Sequence, residues 1–108
     1  MLEKKNFYIN GKWVAPKNQK QIEVIDPATE KSCAAISLGG KEDVHSAVIA
    51  AKNAFTSWGF TSKEERIKLL EKLYEIYKKR WNDISDAITL EMGAPKDFSS
   101  KLQTGTGA

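Results

Sequence analysis

The stretch Phe7-Tyr8-Ile9-Asn10-Gly11-Lys12-Trp13-Val14 decides how the rest of this 108-residue chain is read. Apolar residues flank Asn10-Gly11. Asn-Gly is the strongest short hairpin signal, because a type I′ turn needs positive φ at both central positions. The stretch therefore predicts two short antiparallel strands. Pro16, Lys17 and Asn18 follow as a loop. Gln21 to Ile25 alternates, with Ile22 and Val24 on one face, which predicts another strand. In the turn Asp26-Pro27-Ala28-Thr29, Pro27 fixes its own φ and the Asp26 carboxylate can accept from backbone ahead of it. Lys31 to Leu38, through Cys33 and Ala35, is the returning strand.

After Gly39-Gly40 the period changes. Val44, Ala47, Val48, Ala51, Phe55 and Trp58 recur in steps of three and four, as on one face of a helix. Asp43 near its start suits the positive end of the helix dipole, and Gly59 stands where the helix would end. Thr61 and Ser62 before Glu64 and Glu65 form a capping-box pattern. It opens a second helix, predicted over Lys63 to Trp81, with a buried stripe of Ile67, Leu70, Leu73, Tyr74, Tyr77 and Trp81. Asn82 can cap a third helix carrying Ile84, Ala87 and Ile88. Gly93 ends it and Pro95 blocks continuation. From Lys96 a fourth element, helical at its start, carries Phe98 and Leu102. The predicted fold is α+β: two N-terminal β-hairpins followed by three to four helices. Such a set closes into a small domain or forms the opening part of a larger one.

Composition removes several function classes. At 41% hydrophobic and 29% charged residues the chain reads as a globular protein. No apolar run approaches the roughly 18 residues that span a bilayer. The opening MLEKKNFYIN has no apolar core of a secretory signal, so the default compartment is cytoplasmic. Net charge is +3, but Lys and Glu alternate through the second helix. That is the pattern of a solvated face, not of a nucleic-acid-binding patch. One cysteine, Cys33, and one histidine, His45, leave no disulfide framework, zinc site or Ser-His-Asp triad within the chain.

Four blocks carry a family resemblance in combination. FYINGKWV is similar to the opening hydrophobic-Ile-x-Gly-x-Trp hairpin of aldehyde dehydrogenases. IEVIDPATEKSCAAI resembles their next block, a strand, then Asp/Asn-Pro-Ala-Thr-Gly/Glu, then a returning strand. DVHSAVIAAKNAFTSW looks like their first helix, and ERIKLLEKLYEIYKKRWNDISDAITLEMGAP resembles the helices that follow, down to Glu-x-Gly-x-Pro. The blocks occur in the family's order and cover almost the whole chain. The resemblance implies that residues 1–108 are the N-terminal segment of the cofactor-binding domain of an NAD(P)-dependent aldehyde dehydrogenase, without its Rossmann core or catalytic domain. Full-length members oxidise an aldehyde to the acid with NAD or NADP, using a cysteine nucleophile and a glutamate base.

In that family the nucleophile, the base and the cofactor-binding residues lie downstream, and no position here matches their motifs. No catalytic and no cofactor-binding residue is therefore carried over, and the chain alone is expected to bind no cofactor and to be inactive. Cys33 sits in a strand pattern and reads as a small apolar group. His45 reads as solvent-facing on the first helix. Gly105-Thr106-Gly107 lacks the preceding strand of a dinucleotide loop and is expected to be helical. Trp13, Trp58, Trp81, Tyr74 and Tyr77 read as core packing or as surface meant for an absent domain, not as base-stacking residues. In some members a monovalent cation sits near the matching strand and Glu-x-Gly block. The corresponding positions are the backbone carbonyl of Val24 or Ile25 and the carboxylate of Glu91, donors suited to a hard cation, against the plainer reading of Glu91 as a solvated helix-end residue. The expected partner is the remainder of an aldehyde dehydrogenase chain. The rival reading is a non-enzymatic module that self-associates through exposed strand edges and apolar helix faces; neither nucleic acid nor membrane is expected as a partner.

Overall fold

A computed structural model describes residues 2–108. Its contacts divide the chain into two compact units: residues up to Val24 with Ser32–Thr61, and Ile25–Lys31 with Ser62–Ala108.

In the first unit the Asn10-Gly11 turn forms as the dipeptide predicts. Both residues take positive φ, +54° and +74°. They join β2 (Phe7–Ile9) to β3 (Lys12–Val14), paired antiparallel with Tyr8 opposite Trp13. The rings of Tyr8 and Trp13 meet at 5.2 Å between centroids, the cross-strand contact that steadies a two-stranded ribbon. The second predicted hairpin is β4 (Gln21–Asp26) and β5 (Lys31–Ser37). A strand that the sequence does not announce, β1 (Leu2–Lys4), pairs parallel to β5 with Leu2 opposite Ala34. The sheet order is β1-β5-β4. β1 is three residues of mixed character, too short to show a period of two. Central β5 carries Ala35, the one large-scale-buried apolar side chain among the described residues at 5% exposure.

Helix α1 (Lys41–Trp58) follows Gly40. Its start is organised by Asp43, which is buried. One carboxylate oxygen accepts the N–H of Gly40 (2.9 Å) and the other accepts the N–H of Lys17 (2.9 Å). This is the reciprocal arm of a capping box, extended to a loop 26 residues earlier. These two backbone donors hold the Asp43 carboxyl below its ordinary value, the Gly40 bond contributing most. Gly59 ends α1 as expected, and does so in the right-handed region (φ −59°).

The second unit contains α2 (Lys63–Lys79), α3 (Trp81–Met92), α4 (Lys96–Phe98), a π-helical turn (Ser99–Gln103) and α5 (Thr104–Thr106). α2 opens on the full capping box: Ser62 accepts from the Glu65 N–H (3.2 Å), and Glu65 accepts from the Ser62 N–H (2.7 Å). Two boundaries differ from expectation. Trp81 belongs to α3, and Arg80 (φ −99°, ψ 14°) replaces Asn82 at the junction. Arg80 is the one residue between α2 and α3; its N–H donates to the Ile76 carbonyl (3.0 Å) and its carbonyl accepts the Ile84 N–H (3.1 Å), so no side-chain cap is required. α3 ends at Gly93, as predicted, and the glycine is left-handed there (φ +68°). A Cβ there would stand 2.8 Å from Pro27 Cγ, so the αL requirement and the Pro27 ring both select glycine. The β4–β5 turn closes with Asp26 accepting from the Ala28 N–H (2.8 Å) and the Thr29 hydroxyl (3.1 Å), and with Glu30 forced to φ +57°.

Two predictions follow from these backbone positions. Gly93→Ala should lose about 1–2 kcal/mol for the left-handed conformation alone, and more for the contact with Pro27. Glu30→Gly should gain about 0.5–1 kcal/mol, the relieved αL cost less the added freedom of the unfolded chain. Urea midpoints of the intact protein measure both. A lower folded value for Asp43 means that its stabilising contribution is complete above about pH 4, the unfolded value. It is lost as pH falls through the folded value. Asp43→Asn, which keeps one acceptor oxygen for two N–H donors, should destabilise at pH 7, and the difference from wild type should shrink on acidification.

Candidate functional site

The residues with chemical potential do not assemble into a reaction centre. Cys33 is half-buried in β5, and its thiol donates to the Val24 carbonyl at 3.3 Å. His45 is exposed on α1. The hairpin β2–β3 and α1 border a cleft of about 440 Å³ whose polar groups include Lys17, Asp43 and Ser46. Asp43 is committed to its two N–H donors, and the Ser46 hydroxyl donates to the Glu42 carbonyl (2.9 Å). Neither side chain is set up as a base or nucleophile.

The Gly105-Thr106-Gly107 stretch is helical through Thr106, as expected. Gly105 lies beside the Trp81 ring, and the Tyr77 hydroxyl occupies the place a Cβ on Gly107 would need. A phosphate loop must offer open backbone N–H groups; here the N–H of Gly107 donates to the Thr104 carbonyl (3.2 Å) and that of Ala108 to the Gly105 carbonyl (3.3 Å), as at a helix end. Of the aromatic residues, Tyr8 packs on Trp13 and Tyr77 edge-on to Trp81 at 6.0 Å, while Trp13, Trp58 and Tyr74 are exposed.

For the cation positions, Ile25 starts the short 25–31 segment and Glu91 lies in the last turn of α3, exposed. The contact of Gly93 with Pro27 brings the end of that helix to the turn after Ile25. Val24 belongs to the other unit, and its carbonyl already accepts the Cys33 thiol. Among the described residues no three His, Cys, Asp or Glu side chains converge on a metal position. A cation here would lean on backbone carbonyls.

What the chain does present is apolar surface. The stripe predicted to be buried on α2 is not: Ile67, Leu70, Leu73 and Tyr74 are exposed, Leu70 by 63%. Only Tyr77 and Trp81 are half-covered, by the 100–107 segment. With 100° per residue, Ile67, Leu69, Leu70, Leu73, Tyr74 and Ile76 spread over about half the circumference of α2, where about 100° suffices to pack on one neighbour. On α1 Val44, Val48, Phe55 and Trp58 are likewise exposed.

The total confirms the local picture. The chain exposes 8711 Å². A self-contained globule of its mass exposes about 6,000 Å², and two independent globules of half that mass about 7,300 Å² together. The excess is at least about 1,400 Å² on this chain alone, more than the roughly 800 Å² that one partner contributes to a standard interface.

Sequence reading missed the interior of the second unit. Its most buried side chains are Ser85 (1% exposed), Ser99 (0%) and Thr104 (0%). The signal was Ser85 and Thr89, four apart among the apolar residues of α3.

The architecture is thus α+β, two hairpins with a short extra strand followed by helices, and its helices expose broad apolar faces. The model of the aldehyde dehydrogenase family matches residues 13–106, and the chain belongs to that family. An aldehyde dehydrogenase from Bartonella henselae superposes with a TM-score of 0.97 at 50% identity, over 99% of this chain and 22% of that one. A mutant of aldehyde dehydrogenase C from Pseudomonas syringae, solved with NAD+ and octanal, superposes at 0.91 with 38% identity, over 94% and 21%. A 3-succinoylsemialdehyde-pyridine dehydrogenase from a Pseudomonas species is 48% identical over 95 residues, 88% of this chain and 20% of its own. The chain spans about a fifth of the length of the curated relatives it matches.

Anilinonaphthalene sulfonate offered to residues 1–108 alone should fluoresce strongly. Leu70→Glu with Leu73→Glu should lower that signal by about half, since both side chains lie in the exposed arc of α2. An unchanged signal would place the bound dye elsewhere.

Proposed function

We propose that this chain is the opening segment of the cofactor-binding domain of a cytoplasmic, oligomeric aldehyde dehydrogenase. The whole enzyme oxidises an aldehyde to the carboxylic acid with NAD or NADP. The nucleophile, the base and the cofactor site then lie in the four-fifths of a family-length chain that residues 1–108 do not span. The observation that carries the reading is the family match over residues 13–106 together with the short coverage of every relative described above. The unmatched apolar arcs of α1 and α2 support a further part of it: the remainder of the enzyme chain covers them. In this assignment the segment contributes packing and orientation, and no chemical step is assigned to Cys33 or His45.

A monovalent cation belongs to the same reading. Of the two candidate carbonyls, that of Ile25 shares a unit with Glu91, and these two hold one side of the ion, with other ligands from outside the chain. The seating of Gly93 on Pro27 supports this, because it fixes the end of α3 against the turn. Glu91→Gln in the intact enzyme should abolish the difference in thermal midpoint between sodium or potassium and a bulky organic cation.

The exposed arcs favour a second reading, in which residues 1–108 act as a non-enzymatic module that docks on copies of itself. The two are separated by direct measurement. Purified residues 1–108 should produce no NADH or NADPH from short aliphatic or aromatic aldehydes and should form oligomers in light scattering. Turnover that persists in Cys33→Ser would overturn the assignment of the working residues to another part of the chain. A monomer at high protein concentration would remove the self-docking reading.

A further inference from the structure

The second unit is held at its most buried point by hydroxyl groups, and their spacing is unusual. Ser85 and Thr89 are four residues apart on α3 and share one face. Opposite them stand Thr104 and Ser99, five residues apart. The Ser85 hydroxyl lies 2.8 Å from the Thr104 hydroxyl, and the Thr89 hydroxyl donates to Ser99 Oγ at 2.8 Å. Pairing thus runs antiparallel, with a step of four on one side and five on the other.

In a regular α-helix residues five apart turn through about 500°, which leaves them about 140° from a common face. Ser99 and Thr104 share a face because residues 99–103 form a π-helical turn, whose i→i+5 bonds bring such residues together. The same two residues hold that turn open. The Thr104 N–H donates to the Ser99 carbonyl, and the Thr104 hydroxyl donates to it as well, at 2.9 Å. The Ser85 hydroxyl also lies 2.8 Å from the Trp81 carbonyl, so the two hydroxyl hydrogens of Ser85 and Thr104 serve three contacts and any one arrangement makes two of them. Outer bonds run alongside, from Trp81 Nε1–H to Ser100 Oγ (3.0 Å) and from the Tyr77 hydroxyl to the Thr104 carbonyl (2.9 Å).

We propose that Ser85, Thr89, Ser99 and Thr104 form a register lock, which fixes Lys96–Thr106 on α3 in one rotational setting by means of the π-helical turn. Apolar contacts tolerate sliding; buried hydroxyls do not, since a shifted register leaves them unpaired away from water. Reversion of the turn to α geometry would swing Ser99 off Thr89. The lock also sets the direction of Phe98 and Leu102, both exposed apolar residues of the same segment, and hence the face this segment offers for packing. This inference does not depend on which reaction the whole enzyme performs.

Hydrogen exchange read by mass spectrometry on the intact protein tests it. Thr104→Val keeps the shape and removes the hydroxyl. It should speed exchange of peptides spanning 99–107 by about tenfold and leave α2 unchanged. Thr104→Ser restores the hydroxyl and should stay within about twofold of wild type. Thr106→Val, at an exposed hydroxyl that bonds only the Leu102 carbonyl, should also stay within that range. If Thr104→Val does not fold, Ser99→Ala reads the other rung, since it leaves the Thr89 hydroxyl without its acceptor. Wild-type exchange in Thr104→Val or Ser99→Ala overturns the lock, as does Thr104→Ser exchanging as fast as Thr104→Val.

Discussion

The constraint that shapes this chain is a mismatch between apolar surface and the means to cover it. Its helices carry apolar arcs as broad as half a circumference, yet Ala35 is the only apolar side chain among the described residues that is more than nine-tenths buried. Hydrophobic burial normally supplies most of the favourable free energy of folding. Where so little of it is available inside either unit, specific hydrogen bonds define the internal arrangement. Two backbone N–H groups converge on Asp43 in the first unit, and hydroxyls pair across α3 in the second.

This division of labour fits a part of a larger enzyme. Directional polar contacts fix local geometry without apolar area, and the apolar arcs remain free for packing elsewhere. The relatives are about four and a half times as long as this chain, and the excess surface exceeds the roughly 800 Å² that one partner contributes to a standard interface. Membership in the aldehyde dehydrogenase family is compatible with these bare faces, since the chain spans only about a fifth of its relatives' length.

The candidate site residues illustrate why type alone misleads. Cys33 is the residue that the family's chemistry would draw attention to, but it is a strand residue with its thiol turned to a neighbouring carbonyl. Gly105-Thr106-Gly107 has the letters of a phosphate loop and the structure of a helix packed under two aromatic rings. Conversely, Ser99 and Thr104 have no motif, and they are the most buried side chains described.

The sequence by itself determined the local elements: the Asn10-Gly11 hairpin, the Asp26 turn, the Ser62–Glu65 box and the Gly93 stop. Each rests on short-range chemistry, a positive φ or a side chain reaching backbone a few residues away, so composition and spacing suffice. Family membership was legible for the same reason, as ordered local blocks. Tertiary structure alone decided the parallel pairing of β1 with β5, the reach of Asp43 to Lys17, the helical boundary at Arg80 and the π-helical turn at Ser99–Gln103. It alone also showed that the α2 stripe is bare. Those features join residues distant in sequence or depend on what lies against a face, and periodicity reports only that a face is apolar, not whether anything covers it.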